Sequence, residues 1–282
     1  MACLKKECFL DKPKLTIMKI PKFIHWVWYG KDISPIFVAN MQRVILDNPD
    51  YNFFIWSDRP GVLHNTIARM DGISSELMSE VEVLDPMHAL CAIEDEGVRK
   101  HISSIVAREL GGPLRNYAAA SDVVRLLILN CYGGIYMDAD VEINYSLDDL
   151  SAPRGVMFLP STRNLFSNAI IAASENNKLL YQCLKKVAYY YYLDPFCSEK
   201  SWEAKRSYPA AVSAYAFRTI GTTSMTGPRM VKRVIEEFMP DLFNSLGELQ
   251  FGSAFPKGMF KDPDDSGTSW LKPQFNLRAA DI

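Results

Sequence analysis

Two carboxylates one residue apart, Asp138 and Asp140 in the run GGIYMDADV, are the groups of this sequence best suited to chemistry. Like charges side by side repel, so placing them together in a chain of net charge −2 calls for a reason. A divalent cation bridging a diphosphate is one, because Mg²⁺ and Mn²⁺ take oxygen ligands from a carboxylate or two plus phosphates. A DxD alone reads equally well as a solvated acidic turn. Just upstream, Asp122 and Arg125 stand at i and i+3, on one face of a helix. As a surface ion pair they would contribute little. Their neighbours are apolar or small, which places the pair at the helix's entry to the sheet. Other site chemistries lack residues. His25, His64, His88 and His101 form no HExxH and no close pair, and none of the six cysteines makes a CxxC. The cysteines therefore read as buried or free thiols of a reducing compartment.

These groups need elements to carry them. From Tyr117 to about Asn130 the apolar positions keep a helical beat, and Gly133-Gly134 closes the helix. A strand, IYMDADVEI, is expected next. Its period of two sets Tyr136, Asp138 and Asp140 on one face, with Ile135, Met137, Ala139 and Val141 on the other. Earlier, KFIHWVWY (22–29), YNFFIWSD (51–58) and VEVL (81–84) read as strands. Helices are expected from Ser34-Pro35 to about Asp47, from Pro60 to about Met70, and over 88–111. Strands alternating with helices imply an α/β fold, with a mostly parallel Rossmann-like sheet flanked by helices. Ligands of such folds bind beyond the carboxyl ends of the strands. With no repeat or low-complexity linker, one domain is expected over 21–282 behind an N-terminal extension, 1–20.

Composition bounds the classes. Across 282 residues, 48% are hydrophobic and 23% charged, enough apolar material for a core, which excludes disorder, collagen and coiled coil. Thirty-one basic against 33 acidic residues offer no field for nucleic acid. The first twenty residues lack a signal-peptide core, and no apolar run approaches the ~20 residues that span a bilayer.

Four landmarks in order, IPKFIHWVWYG (20–30), SDVVR with GGIYMDAD (121–140), RNLFSNAIIAAS (163–174) and DPDDSGTSWLKP (262–273), resemble the DxD-containing glycosyltransferases of GT-A fold. That group includes the catalytic domains of large clostridial glucosylating toxins, related bacterial toxins that modify Rho proteins, and yeast Golgi mannosyltransferases of the Och1 type. The resemblance implies roles position by position. Trp28 would stack on the uracil of a nucleotide sugar, although the adjacent Trp26 makes a core aromatic the competing reading. Asp122 and Arg125 would hold the donor's sugar and ribose hydroxyls. Tyr136 would contact the nucleotide. Asp138 would bind ribose and, through water, the metal, and Asp140 would ligate the metal directly. Asn168 would line the sugar pocket. Asp265 and Thr268 would complete the metal shell, with Asp264 a rival for the acid, and Trp270 would donate to a phosphate oxygen. Thr226-Gly227-Pro228 also resembles a family feature near the donor pocket.

The implied cofactor is Mn²⁺ or Mg²⁺, and the implied donor a UDP-sugar. Ser167 and Ala169, small residues flanking Asn168, leave room for an N-acetyl group, so UDP-GlcNAc is expected ahead of UDP-glucose. The family transfers with retention. With no obvious covalent nucleophile, front-face attack is expected, and Arg125 and Trp270 would meet the charge on the leaving diphosphate. The expected acceptor is a hydroxyl of a host protein such as a small GTPase, which makes the chain a secreted effector acting in the host cytosol. The alternatives are a housekeeping transferase of the bacterial cytoplasm for capsule or lipid-linked glycan, a sugar-nucleotide hydrolase, and a non-catalytic binding module. The short segment ahead of the first strand and the absence of large helical insertions depart from the clostridial pattern and weaken the expectation of membrane-proximal Rho targets.

Overall fold

The computed structural model describes residues 16–30, 32–111, 115–161, 165–193, 222 and 224–261. Its centre is a six-stranded sheet built from β2 (Phe23–Val27), β3 (Asn52–Trp56), β4 (Val81–Leu84), β5 (Gly134–Met137), β8 (Val156–Ser161) and β9 (Leu165–Ala173), in the order β4-β3-β2-β5-β9-β8. The first four are mutually parallel; β9 runs antiparallel to both β5 and β8. Two small antiparallel ribbons join it: β1 (Ile17–Lys19) with β7 (Ser151–Pro153), and β6 (Glu142–Ile143) with β10 (Phe260–Lys261). β1 lies ahead of the expected domain start at residue 21.

Strand alternation sorts the core into two layers. Ile24, Trp26, Phe53, Ile55, Ile135 and Met137 point to one face, which α1 (Pro35–Asp47) and α2 (Pro60–Ile67) cover. Tyr136, Trp56, Phe158 and Ile171 point to the other, beneath α4 (Glu96–Leu110), α5 (Tyr117–Tyr132), α6 (Lys178–Leu193) and α7 (Pro228–Phe238). A short helix, α3 (Ser75–Met78), precedes β4. Eleven of the sixteen residues of α5 are buried, Asp122 and Arg125 among them. An element covered on nearly all sides is a fixed platform, and this one delivers the ion pair to the sheet.

The turn from α5 into β5 depends on glycine. Gly133 and Gly134 have φ of 65° and 96°, and a Cβ on Gly134 would stand 2.7 Å from the carbonyl oxygen of Phe23. Behind the turn, His25 is fully buried. It contacts the Gly133 carbonyl through Nε2 at 2.9 Å, and the Trp56 indole donates to its Nδ1 at 3.2 Å. Burial lowers its pKa to about 4 against the pull of that carbonyl, so the ring is neutral, with Nε2 carrying the proton.

One expectation is corrected. The helix expected over 88–111 is two elements, a 3-10 helix over Pro86–Ala92 and α4, because Asp85 and Asp95 each cap a new start through a side-chain oxygen. The aromatic run at 189–192 lies inside α6. Tyr189 is exposed, and Tyr191 is buried with its hydroxyl on Glu109 at 3.0 Å. Phe255 and Phe260 pack edge to face in the core.

Candidate active site

The strand expected to carry both acids stops at Met137. Asp138 follows it, and Ala139-Asp140 form a turn in which the Val141 amide donates to the Asp138 carbonyl at 3.1 Å. The Asp138 amide still donates to the Ala169 carbonyl at 2.8 Å, in the β5–β9 register, so the chain leaves the ladder only after Asp138. The carboxylates are therefore carried by a tight turn at the carboxyl end of β5, not by one face of a strand.

Around the turn stands a buried polar cluster. Arg125, 5% exposed, approaches Asp122 Oδ1 at 3.2 Å and Asp138 Oδ1 at 3.4 Å. It also donates to the Asn168 carbonyl and, at 3.1 Å, to Ser121 Oγ. Its guanidinium lies 4.4 Å from the centre of the Tyr136 ring. The Tyr136 hydroxyl donates to Asp138 Oδ1 and touches Ser121 Oγ at 3.2 Å. Asp122, 6% exposed, receives the Asn168 amide on Oδ1 at 2.7 Å and the Thr226 hydroxyl on Oδ2 at 2.9 Å. Asp138 is more open, its side chain 36% exposed, and Asp140 is half-buried.

The charges follow from this packing. Burial raises Asp122 to about 6, although Arg125 and the bonds from Thr226 and Asn168 pull it down. Burial also works against the Arg125 cation, but Asp138, Tyr136 and Asp122 together raise its pKa and keep it charged. Burial raises the Tyr136 phenol well above its ordinary value, so it stays a donor.

Asn168 reaches the cluster through an irregularity in β9. Phe158 pairs with Ile171 and Leu159 with Ser167, so Asn168, Ala169 and Ile170 have no opposite number on β8. β9 is thus an interior strand with a bulge. Ala169 is buried and Ser167 half-buried beside Asn168.

Trp26 is fully buried, stacked on Phe53 in the core, whereas Trp28 is half-buried beyond the end of β2 with its ring 5.6 Å from Phe37. The Trp28 indole nitrogen and the Tyr29 hydroxyl are buried polar atoms with no partner among the described residues. A ligand could satisfy both. The structure thus gathers Asp122, Arg125, Tyr136, Asp138 and Asn168 into one bonded cluster at the Asp138–Asp140 turn. Asp265, Thr268 and Trp270 lie outside the described residues. Sequence reasoning did not single out Ser121, and it assigned no bond to Thr226; a hydroxyl one residue before Asp122 was the available hint for the first.

The donor set suits a hard cation. Asp138 and Asp140 offer carboxylate oxygens on one tight turn, and no cluster of three or more His, Cys, Asp or Glu able to hold a metal occurs among the described residues. Two carboxylates with remaining positions left to phosphate and water is the manner of Mg²⁺ and Mn²⁺.

Residues 36–156 match the family model of the glycosyltransferase sugar-binding region containing a DXD motif. The "subversion of eukaryotic traffic protein A" of Legionella pneumophila is 25% identical over 214 residues, 74% of this chain and 31% of that protein. A toxin of Photorhabdus asymbiotica is 28% identical over 174 residues, 58% of this chain and 6% of that protein. The inositol phosphoceramide mannosyltransferase 3 of Schizosaccharomyces pombe is 28% identical over 131 residues, 46% of this chain and 27% of that protein. The chain spans about a third or less of the length of these curated relatives. In fold it is similar to the PaToxG glycosyltransferase (TM-score 0.58, 22% identity, 81% of this chain and 73% of that chain). It is also similar to the UDP-bound glycosyltransferase domain of the YGT toxin (TM-score 0.59, 14% identity, 86% and 80%). The resemblance read from the motifs is borne out: the DxD glycosyltransferase region covers the landmark at 121–140, and the architecture is the mixed α/β GT-A type.

Proposed function

We infer that this chain transfers a sugar from a UDP-sugar to a hydroxyl of a protein acceptor, with a divalent metal ion, as the catalytic domain of a bacterial effector. One observation carries this reading: the DxD turn stands at the carboxyl end of β5, bonded to a buried Asp122–Arg125–Tyr136–Asn168 cluster. Relatives that are a traffic-subverting protein and a toxin support the effector assignment, and a UDP-bound fold neighbour supports the nucleotide. The domain is taken to run over 21–282 behind an extension at 1–20. Action in the host cytosol, on an acceptor such as a small GTPase, completes the proposal.

Asp138 and Asp140 would hold Mn²⁺ or Mg²⁺, with Asp265 and Thr268 completing the shell. When bound, such an ion supplies Lewis-acid neutralisation of the charge on the departing diphosphate. The residues do the rest. Trp28 presents its ring to the base. Asp122 and Asn168, already bonded to each other, present the Asn168 amide oxygen, its second N–H and the spare lone pairs of the Asp122 carboxylate to the sugar hydroxyls. Arg125 adds a fixed positive charge beside the turn, which favours a transition state with charge on the leaving group. Trp270 adds an N–H to the same group. Transfer is with retention by front-face attack. The small Ser167 and Ala169 at the β9 bulge favour UDP-GlcNAc over UDP-glucose.

Incubation with radiolabelled UDP-GlcNAc or UDP-glucose, Mn²⁺ and a eukaryotic lysate tests the reading. A labelled protein band, lost in Asp138→Asn and Asp140→Asn variants that unfold at the wild-type temperature, is expected. Label only in lipid or glycan would make it a housekeeping transferase, and free sugar alone a hydrolase. Unchanged labelling in the double variant would refute the metal assignment.

A further inference from the structure

The Asp138–Asp140 turn is held from a distance by a residue with no obvious chemistry. Asn40, in the middle of α1, donates from Nδ2 to the Ala139 carbonyl at 3.1 Å and to the Val141 carbonyl at 2.6 Å. A primary amide has two N–H bonds, and here each goes to one of the carbonyls that flank Asp140. Two carbonyl acceptors also require the nitrogen, rather than the amide oxygen, to face the turn.

The same helix touches the other end of the site. Phe37, at i−3 from Asn40 and so on the same face, packs against the Trp28 ring. Further along, the Asn48 side chain accepts the Leu147 amide at 2.6 Å, which ties the segment after the turn to the end of α1. Val38, Met41, Val44 and Ile45 bury the helix in the core, so its polar reach starts from a rigid base. Beside the Asn40 bonds, the Val141 amide on the Asp138 carbonyl and the Asp138 amide on the Ala169 carbonyl also hold the turn's backbone.

We propose that Asn40 is a positioning residue. By gripping the carbonyls on either side of Asp140 it fixes the turn on which both acids sit, and α1 sets the distance between that turn and the Trp28 ring. The inference rests on the metal reading above. Asn40 touches no reacting atom; it acts through Asp140.

The test uses the whole chain with Asn40→Ala and Asn40→Asp, the latter keeping the shape but offering an acceptor where the carbonyls need a donor. Mn²⁺ binding in the presence of UDP is followed by electron paramagnetic resonance, and hydrogen exchange at the Val141 amide is followed in the metal-free protein. Supporting groups of a metal site typically change affinity about 10–100-fold when removed, and a loss in that range is expected for both variants. Val141 exchange should quicken by at least about tenfold, while Ile135 in the β2–β5 ladder keeps its rate within about twofold. Asp140→Asn should lose Mn²⁺ with Val141 exchange unchanged, which separates the ligand from its support. Mn²⁺ affinity within about twofold of wild type in both Asn40 variants would overturn the proposal, even where exchange quickens. If the wild type itself binds no Mn²⁺ with UDP, the metal reading fails, and Val141 exchange alone decides whether Asn40 holds the turn. If Asn40→Ala does not fold, Asn40→Asp carries both measurements.

Discussion

Thr226→Val tests the buried cluster most directly. The Thr226 hydroxyl has one proton and two acceptors in reach, Asp122 Oδ2 at 2.9 Å and the Thr222 carbonyl at 3.1 Å. That carbonyl already receives the amides of Thr226 and Gly227, so the proton belongs to the carboxylate, where the bond is charge-assisted. Valine keeps the shape and removes the donor. A hydrogen bond to a charged, buried group contributes about 1.5–3 kcal/mol, which at roughly 2–4 °C per kcal/mol lowers the melting temperature by roughly 3–12 °C. The loss should depend on pH in a defined sense. The folded-state pKa of Asp122 is raised to about 6, above its unfolded value. Its contribution to stability is therefore whole below about pH 4 and is lost as pH rises through 6. Thr226 favours the ionised form, so removing it pushes the pKa higher still. The penalty of the substitution is greatest at pH 8, and near pH 5, where a neutral carboxyl is buried in both proteins, it falls to about 0.5–1.5 kcal/mol. Calorimetric melting of wild type, Thr226→Val and Thr226→Ser at pH 5 and pH 8 checks this, with serine expected to restore most of the loss. An equal penalty at both pH values would show that the Asp122 bond is not where the energy lies.

Asp122→Asn should change the slope of stability with pH. His25, lowered to about 4, contributes stability that is present above 6.5 and lost as pH falls toward 4, opposite in sign to Asp122 over the same interval. Removing the carboxylate leaves the His25 slope uncancelled, so melting temperatures between pH 4.5 and 7 should rise more steeply with pH than in wild type; an unchanged slope would contradict this. Tyr136→Phe removes the hydroxyl between Ser121 and Asp138 while the buried ring stays, so a modest stability loss of about 0.5–1.5 kcal/mol should accompany a several-fold rise in KM for the nucleotide sugar. Kinetics indistinguishable from wild type would remove Tyr136 from the site. Gly134→Ala drives a Cβ to 2.7 Å from the Phe23 backbone at a φ of 96°, and a loss above about 3 kcal/mol is expected by denaturant melting; wild-type stability there would mean the β2–β5 spacing is wrong.

Local spacing carried much of this protein. The strands at 22–29, 51–58 and 81–84 and the long helix ahead of Gly133 follow from apolar period, glycine and proline, which act within a few residues. The pairing of Asp122 with Arg125 needs only a helix, and the acidic pair needs only adjacency. Those motifs were enough for the family resemblance and for the mostly parallel α/β sheet.

What the sequence could not determine is how the acids are presented. IYMDADVEI has the alternation of a continuous strand, yet the chain turns after Asp138, and the Ala139 and Val141 carbonyls of that turn accept N–H bonds from the Asn40 side chain, 99 and 101 positions away, which alternation does not encode. Thr226 reaches Asp122 from the start of α7, and Asn168 arrives through a bulge in β9, which pairs with both β5 and β8. A hydrogen bond depends on where two chains end up in space, so partners far apart in the sequence become visible only after the core has closed around them.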